Sequence, residues 1–339
     1  MSTTHPVPAA TGPVLSVRDL TVSYATPEGY VDAVDGVSFD LHPGESLGLV
    51  GESGCGKSTL GKALTQLLPP GAKSGGSAVL TAHDGVSVEL INADKKTLRR
   101  TRGEELAIVF QEPMTRLDPL MRVSKHFVEL IQAHRPEVSK KEARQMGRDV
   151  LAAMGIPPTR ADNYPHEFSG GMRQRIMIAL GIVLKPSVII ADEPTTALDV
   201  IVEAQILELL DRLRSEEQAG LLLITHNLGV VAETCDRVAV MYAGRLVEVG
   251  PVEEIFGNPQ HPYTQGLLRS VISVDTTELV SIDGTPPDLL HPPRGCRFAA
   301  RCDQAFADCK TVDPRPTDVG RDHETACLLK AGSYPGAMA

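Results

Sequence analysis

The chain has 339 residues, 42% of them hydrophobic and 22% charged, with a formal net charge of −10 and a pI near 5.5. This length supports about two domains, each with its own core, and the acidic balance argues against a nucleic-acid partner, which needs a basic footprint. No apolar run approaches the roughly 18 residues of a membrane span. The N-terminus has neither the basic start nor the apolar run of a secretory signal, so the expectation is a cytoplasmic protein that meets a membrane only through partners.

Residues 1–13, small and Pro-containing, read as a flexible tail. Residues 14–24 and 31–41 alternate apolar and polar positions as strands do, around a turn at Pro27-Glu28-Gly29. Tyr24 closes the first strand, where an aromatic ring serves either to stack on a base or to pack. Ser46–Val50 is an apolar run with the length of a buried strand, followed by a Gly-rich loop and a helix from Lys57 to about residue 68. The spacing G-x4-G-K-S is that of a phosphate-binding P-loop. Gly51, Gly54 and Gly56 let the backbone curl so that its N–H groups face phosphate oxygens. Lys57 reaches the β- and γ-phosphates, and the Ser58 hydroxyl is a Mg²⁺ ligand.

Further along, residues 71–77 read as a loop, 78–80 and 86–91 as short strands, 95–102 as a basic helical piece, and 106–110 as an apolar strand followed by Gln111. Residues 119–168 read as helical, with a capping box at Ser139-Lys-Lys-Glu142 and one face formed by Met146, Val150, Leu151 and Met154, ended by Pro157-Pro158. Ser169-Gly170-Gly171 is a turn that opens another helix. The buried strand at 188–191 ends in Asp192-Glu193, and the strand at 221–225 ends at His226. Residues 238–242 and 245–249 form a hairpin around Ala243-Gly244, and beyond Gly250 the strand–helix alternation stops. The domain boundary is placed there.

Phosphoryl chemistry on a P-loop needs a carboxylate for Mg²⁺ and a group that orients the attacking water. Asp192 serves the first role and Glu193, as general base, the second. Gln111 and His226 also close apolar strands, and in a parallel sheet such strand ends converge on the P-loop edge. Ser169-Gly170-Gly171, at a helix N-terminus, is a second phosphate-binding device. A single nucleotide leaves it without a use unless it serves a neighbouring subunit.

With these motifs in place the chain resembles the ATP-binding subunits of ABC transporters over residues 14–250. Gly51, Ser53, Gly54, Cys55, Gly56, Lys57, Ser58 and Thr59 match the Walker A motif and Gln111 the Q-loop. Phe168-Ser-Gly-Gly-Met-Arg-Gln174 resembles the signature motif, with Met172 where glutamine is commonest. Asp192 and Glu193 match Walker B and its catalytic glutamate, Asp199 in Ala197-Leu198-Asp199 the D-loop, and His226 the H-loop. Tyr24 falls where the family places its adenine-stacking aromatic. The resemblance implies an α/β P-loop (RecA-like) nucleotide-binding domain with an inserted helical subdomain at about 119–173. It implies ATP and Mg²⁺, the latter on Ser58, Gln111 and Asp192.

Within that family it is similar to oligopeptide and dipeptide importer ATPases, on Val34-Asp-Gly-Val-Ser-Phe39, Glu112-Pro-Met-Thr-Arg-Leu-Asp-Pro119, Tyr164-Pro-His-Glu-Phe-Ser-Gly-Gly171 and Asn258-Pro-Gln-His-Pro-Tyr-Thr264, and its tail resembles theirs at Gly284-Thr-Pro-Pro287 and Gly295-Cys-Arg-Phe-Ala-Ala-Arg-Cys302. The implied assembly is two ATPase subunits, expected as a heterodimer, sandwiching two ATPs on the cytoplasmic face of the membrane. It includes two permeases and an extracytoplasmic binding protein. Nickel, glutathione or sugar are the alternatives to peptide as the transported solute. ABC ATPases of translation carry two nucleotide domains, those of DNA repair carry long coiled coils, and a stand-alone kinase has no use for the Ser-Gly-Gly turn. Cys55 stands where serine is common, either as a small tolerated residue or as a thiol activated by the helix N-terminus.

Residues 251–339 form a C-terminal extension with Cys296, Cys302, Cys309 and Cys327, spaced C-x5-C-x6-C-x17-C. In a reducing compartment such a cluster suggests metal before disulfides. The short knuckle usual for structural zinc is absent, and a [4Fe–4S] cluster takes four thiolates at wider separations. Some family members carry one on similar cysteines. The expectation is therefore a [4Fe–4S] cluster, with zinc or no metal as the alternatives.

Overall fold

The computed structural model describes residues 12–109, 117–195, 200–270 and 282–331. A hairpin of β1 (Leu15–Thr26) and β2 (Gly29–Leu41) precedes β3 (Ser46–Val50), α1 (Lys57–Leu64), β4 (Lys73–Thr81) and β5 (Ser87–Glu89). Next come α2 (Lys95–Glu104) and β6 (Leu106–Val109). Helices α3 (Val123–His134), α4 (Lys140–Ala153) and α5 (Gly170–Ile182) separate β6 from β7 (Val188–Asp192). The chain continues through α6 (Val200–Glu217), β8 (Gly220–Ile224), α7 (Leu228–Thr234), β9 (Arg237–Tyr242) and β10 (Arg245–Pro251). It then runs through α8 (Val252–Gly257), α9 (Pro262–Arg269), β11 (Thr317–Asp318) and β12 (Glu324–Thr325).

The strands form two sheets. One is antiparallel, in the order β2-β1-β4-β5, and the other runs β11-β12-β10-β9-β3-β8-β7-β6. In the second, β3, β6, β7, β8 and β9 are parallel. Every residue of β3, β7 and β8 is buried, as a parallel sheet covered on both faces requires. The strand period of two divides these residues between two cores. Val188, Ile190, Leu222 and Ile224 pack with α1 and the antiparallel sheet. Ile189, Ala191, Leu221 and Leu223 pack with the helices on the other face.

The helical segment expected around 119–173 is α3 and α4, two short 3-10 turns, and the start of α5. Gly147 lets α3 and α4 approach closely, since a Cβ there would lie 2.7 Å from Phe127 Cγ. Gly155, at φ +69, turns the chain after α4, ahead of Pro157-Pro158.

Two local expectations change. Residues 73–77 are strand, because β1 offers them an antiparallel partner, with Val22 opposite Ser74 and Thr21 opposite Gly75. Their composition does not announce it. The first helix ends at Leu64, where Gln66 takes φ +50 and breaks the helical path.

The C-terminal segment adds to the main sheet, with Glu248 of β10 opposite Thr325 of β12. At that seam the buried Glu248 carboxylate accepts from His261 N (3.0 Å) and meets His323 Nε2 at 2.7 Å. Among the described residues no helix is long and apolar enough to cross a membrane.

Candidate nucleotide site

The loop from β3 to α1 is shaped by glycines. Gly51 and Gly56 hold φ +150 and +111, and a Cβ would lie 2.1 Å from Met241 O at the first and 2.2 Å from Ala33 O at the second. Both positions exclude any side chain, so the β3–α1 loop is fixed between β9 and β2.

Lys57 is buried, its ammonium folded back to donate to Gly51 O (2.7 Å) and Glu52 O (3.0 Å). These carbonyls hold the cation at the mouth of the loop. Ser58 Oγ donates to Asp192 Oδ1 at 2.9 Å, so the hydroxyl at the start of α1 and the carboxylate at the end of β7 point at one spot. Burial is the largest influence on Asp192 and raises its pKa, and neighbouring Glu193 adds to the rise. A carboxylate raised this way is stabilised by an incoming cation.

Glu193 sits at φ +47, an uncommon conformation for a non-glycine residue. Its N–H donates to Ile224 O at 2.8 Å, and Oε1 lies 3.2 Å from His226 Nδ1. Adjacent parallel strands, with Asp192 opposite Ile224, thus bring Asp192, Glu193 and His226 to the P-loop edge. Tyr24 joins them from the antiparallel sheet, its hydroxyl donating to Thr59 Oγ1 at 3.2 Å. Gln111 and Asp199 lie outside the described residues, as does most of the N-terminal tail.

The Ser169-Gly170-Gly171 turn is not part of this cluster. Ser169 caps α5, accepting from Met172 N, and both Ser169 and Gly170 are exposed. Nothing lies within 4 Å of a Cβ built on Gly170, so the helix N-terminus faces open space. From the buried side of α5, Gln174 Nε2 donates to Pro194 O at 2.8 Å, linking this helix to the residue after Glu193. Sequence reasoning gave Gln174 no role of its own.

Cys55 is buried, and desolvation raises its pKa despite nearby Lys57. Burial outweighs the helix N-terminus, which favours the tolerated-residue reading over an activated thiol.

Residues to which the motifs assigned no role at the nucleotide support the loop from behind. Glu52 N donates to Tyr263 Oη at 2.9 Å, and the Glu52 carboxylate receives Arg301 Nη1 at 2.8 Å and Nη2 at 3.0 Å. They stand 211 and 249 positions away in sequence, so no local pattern could announce these contacts.

The four C-terminal cysteines are free thiols. Burial pushes Cys302 and Cys327 up to about 11 and also raises Cys296, and the four sulfurs lie near enough to feel one another's charge. Backbone N–H groups of Phe298 and Ala299 donate to the Cys296 sulfur, that of Gln304 to Cys302, and that of Leu329 to Cys327. Among the described residues no group of three or more His, Cys, Asp or Glu side chains stands close enough to hold a metal ion. The expectation of a metal centre therefore finds no preformed single-ion site.

Comparison with known proteins bears on both halves of the chain. Residues 34–196 match the family model "ABC transporter", and residues 247–309 match "Oligopeptide/dipeptide transporter, C-terminal region". The dipeptide transport ATP-binding protein DppD of Bacillus subtilis is 48% identical over 94% of this chain and 95% of its own length. The oligopeptide transport ATP-binding protein OppD of Salmonella typhimurium is 46% identical over 89% of each chain. Among solved structures, the ATP-binding cassette MJ0796, a dimer in a post-hydrolysis state bound to ADP and Pi, aligns with a TM-score of 0.62 and 25% identity. That alignment covers 70% of this chain and 98% of the cassette. CbiO1 of Clostridium perfringens aligns at 0.60 with 28% identity, over 73% of this chain and 92% of its own.

Proposed function

The chain belongs to the ATP-binding subunits of ABC transporters, and from that premise we propose that its ATP hydrolysis powers the uptake of dipeptides and oligopeptides. The observation that carries the ATPase half is the meeting of Lys57, Ser58, Asp192, Glu193 and His226 at one sheet edge. The C-terminal match over residues 247–309 supports the peptide half.

In this reading Lys57 leaves the Gly51 and Glu52 carbonyls to meet the β- and γ-phosphates. The ring of Tyr24 stacks on the base. Glu193 takes a proton from the attacking water, and His226 holds its carboxylate in place. Mg²⁺ suits the hard oxygens of Ser58 and Asp192, with Gln111 as a further ligand. When bound it supplies charge neutralisation at the phosphates. The exposed Ser169-Gly170-Gly171 turn supports a site shared between subunits, in which each signature caps its partner's nucleotide, with Asp199 at that seam. A heterodimer with a second ATPase subunit, resting on two permeases fed by a binding protein, is the implied assembly.

The same reading includes one [4Fe–4S] cluster on Cys296, Cys302, Cys309 and Cys327, with zinc as the other option. In a cubane each thiolate binds a different iron, so the sulfurs stand farther apart than around one ion. What supports this reading is four cysteines in one segment, spaced C-x5-C-x6-C-x17-C, three of which receive backbone N–H bonds. Its role is structural, since ATP-driven transport needs no redox step. Transport by membranes carrying the complex tests the main proposal. Labelled dipeptide uptake that depends on Lys57 supports it, whereas Lys57-dependent uptake of nickel, glutathione or sugar with no peptide uptake overturns the peptide assignment.

A further inference from the structure

We propose that Arg301 and Tyr263, two residues of the C-terminal segment, position the P-loop for nucleotide by holding Glu52 from behind. The inference rests on the ATPase reading, and it assigns to the segment after residue 251 a part in ATP binding.

Glu52 stands at a junction. Its N–H goes to Tyr263 Oη at 2.9 Å, its carboxylate to both Arg301 Nη atoms at 2.8 and 3.0 Å, and its carbonyl accepts from Lys57 Nζ at 3.0 Å. The N–H is thereby committed to the tyrosine hydroxyl. Glu52 is a strut of the loop and not one of its phosphate donors.

The strut is rigid on its far side as well. The Arg301 side chain is only 5% exposed, and its remaining donors are taken up by Asp283 O (2.8 Å), Ile282 O (3.0 Å) and Tyr242 Oη (3.3 Å). A bidentate guanidinium–carboxylate pair fixes orientation as well as distance. Tyr263 is fully buried and packs against Tyr242 and Phe298, with ring centroids 4.6 and 5.4 Å apart. Phe298 and Arg301 come from one turn, closed by Arg301 N donating to Phe298 O at 2.9 Å. The turn inserts its ring into the aromatic cluster and its guanidinium against the loop.

A loop held in its binding shape loses less conformational freedom when nucleotide arrives, so it binds more tightly. The lysine's resting place is part of the same device, because one of the two carbonyls holding it belongs to Glu52.

The test is MgATP titration of the full-length chain, using a fluorescent ATP analogue, with melting recorded in the absence of nucleotide. Tyr263→Phe removes only the hydroxyl and keeps the ring in its cluster, and it should weaken ATP binding about threefold to tenfold. Arg301→Gln should weaken it about tenfold, with Arg301→Lys recovering part of the loss. Arg301→Gln in a Glu52→Gln background should add little. Variants that melt lower but bind ATP as the parent does would overturn the proposal, leaving these residues merely structural. If Arg301→Gln fails to fold, Tyr263→Phe decides alone. A parent chain that binds no nucleotide would instead overturn the ATPase reading, and the positioning role with it.

Discussion

The nucleotide-binding sheet and the C-terminal segment are held together by different means. Strands β3, β7 and β8 are buried at every residue, and continuous apolar runs specify them. After Pro251 the elements are short, with β11 and β12 of two residues each. Here individual side-chain contacts with the main sheet and its hairpins take over. Arg297 pairs with Asp35 and donates to Ala243 O, Arg301 grips Glu52, and His323 meets Glu248 inside the core. Phe298 inserts between Tyr242 and Tyr263. The first region is specified mainly by its own apolar strands, whereas the second borrows a partner surface from the first, with Ile255, Tyr263 and Phe298 joining the core on one face of the main sheet.

The largest expected effect falls in the first region. Lys57→Ala removes the cation that reaches the phosphates, and ATP turnover should fall on the order of 100-fold or more. Steady-state phosphate release by the assembled transporter checks it, and near-normal turnover would show that the loop is not the site. Ser169→Arg should leave ATP binding to this chain intact while slowing hydrolysis at the partner's nucleotide about tenfold or more, since the turn faces outward. A chain shown to be monomeric and fully active would remove the shared site.

The second region should yield to changes that spare the first. Phe298→Ala empties a fully packed aromatic position, at a cost of about 3–5 kcal/mol. Hydrogen exchange should then rise in residues 282–331 while β3, β7 and β8 keep their protection. A uniform rise would mean that both regions unfold as one. Cys309→Ser should act in the same direction, and anaerobic metal analysis of the parent chain should find about four irons. One zinc favours the other metal, and neither metal returns the cysteines to ordinary packing.

The seam between the regions should also sense acid. His261 is buried at 1% exposure, and desolvation lowers its pKa from 6.5 to about 4. Its neutral Nδ1 accepts from Tyr263 N at 3.0 Å. The folded form therefore resists protonation while the unfolded chain protonates near 6.5. Stability is fully present above that pH and is lost as the pH falls toward 4, by about 2 kcal/mol at pH 5. Local exchange at pH 7 and pH 5 measures this, and replacing His261 with Asn should flatten the difference.

The two regions were unequally legible in the sequence. Asp192, Glu193 and His226 were readable because a parallel sheet needs apolar strands, and polar residues that close such strands stand out. The extent of β4 was hidden, since residues 73–77 become strand only beside β1. Tyr263 and Arg301 stood out only as parts of family-like stretches, and their contacts with Glu52 carried no signal, because a contact spanning 249 positions leaves no local periodicity. Glu193's strained backbone and the link from Gln174 to Pro194 likewise exist only once α5, β7 and β8 are assembled.

The central claim is that this strand edge performs hydrolysis, and Glu193→Gln tests it most directly. The substitution keeps the shape and removes the base. In the assembled transporter, MgATP binding and ATP turnover should be measured on the same preparation. The account predicts binding within about threefold of the parent and turnover reduced about 100-fold or more, with the ATP-bound state accumulating. Binding and turnover falling together would contradict it, because Glu193 would then hold nucleotide and the base would have to be sought elsewhere.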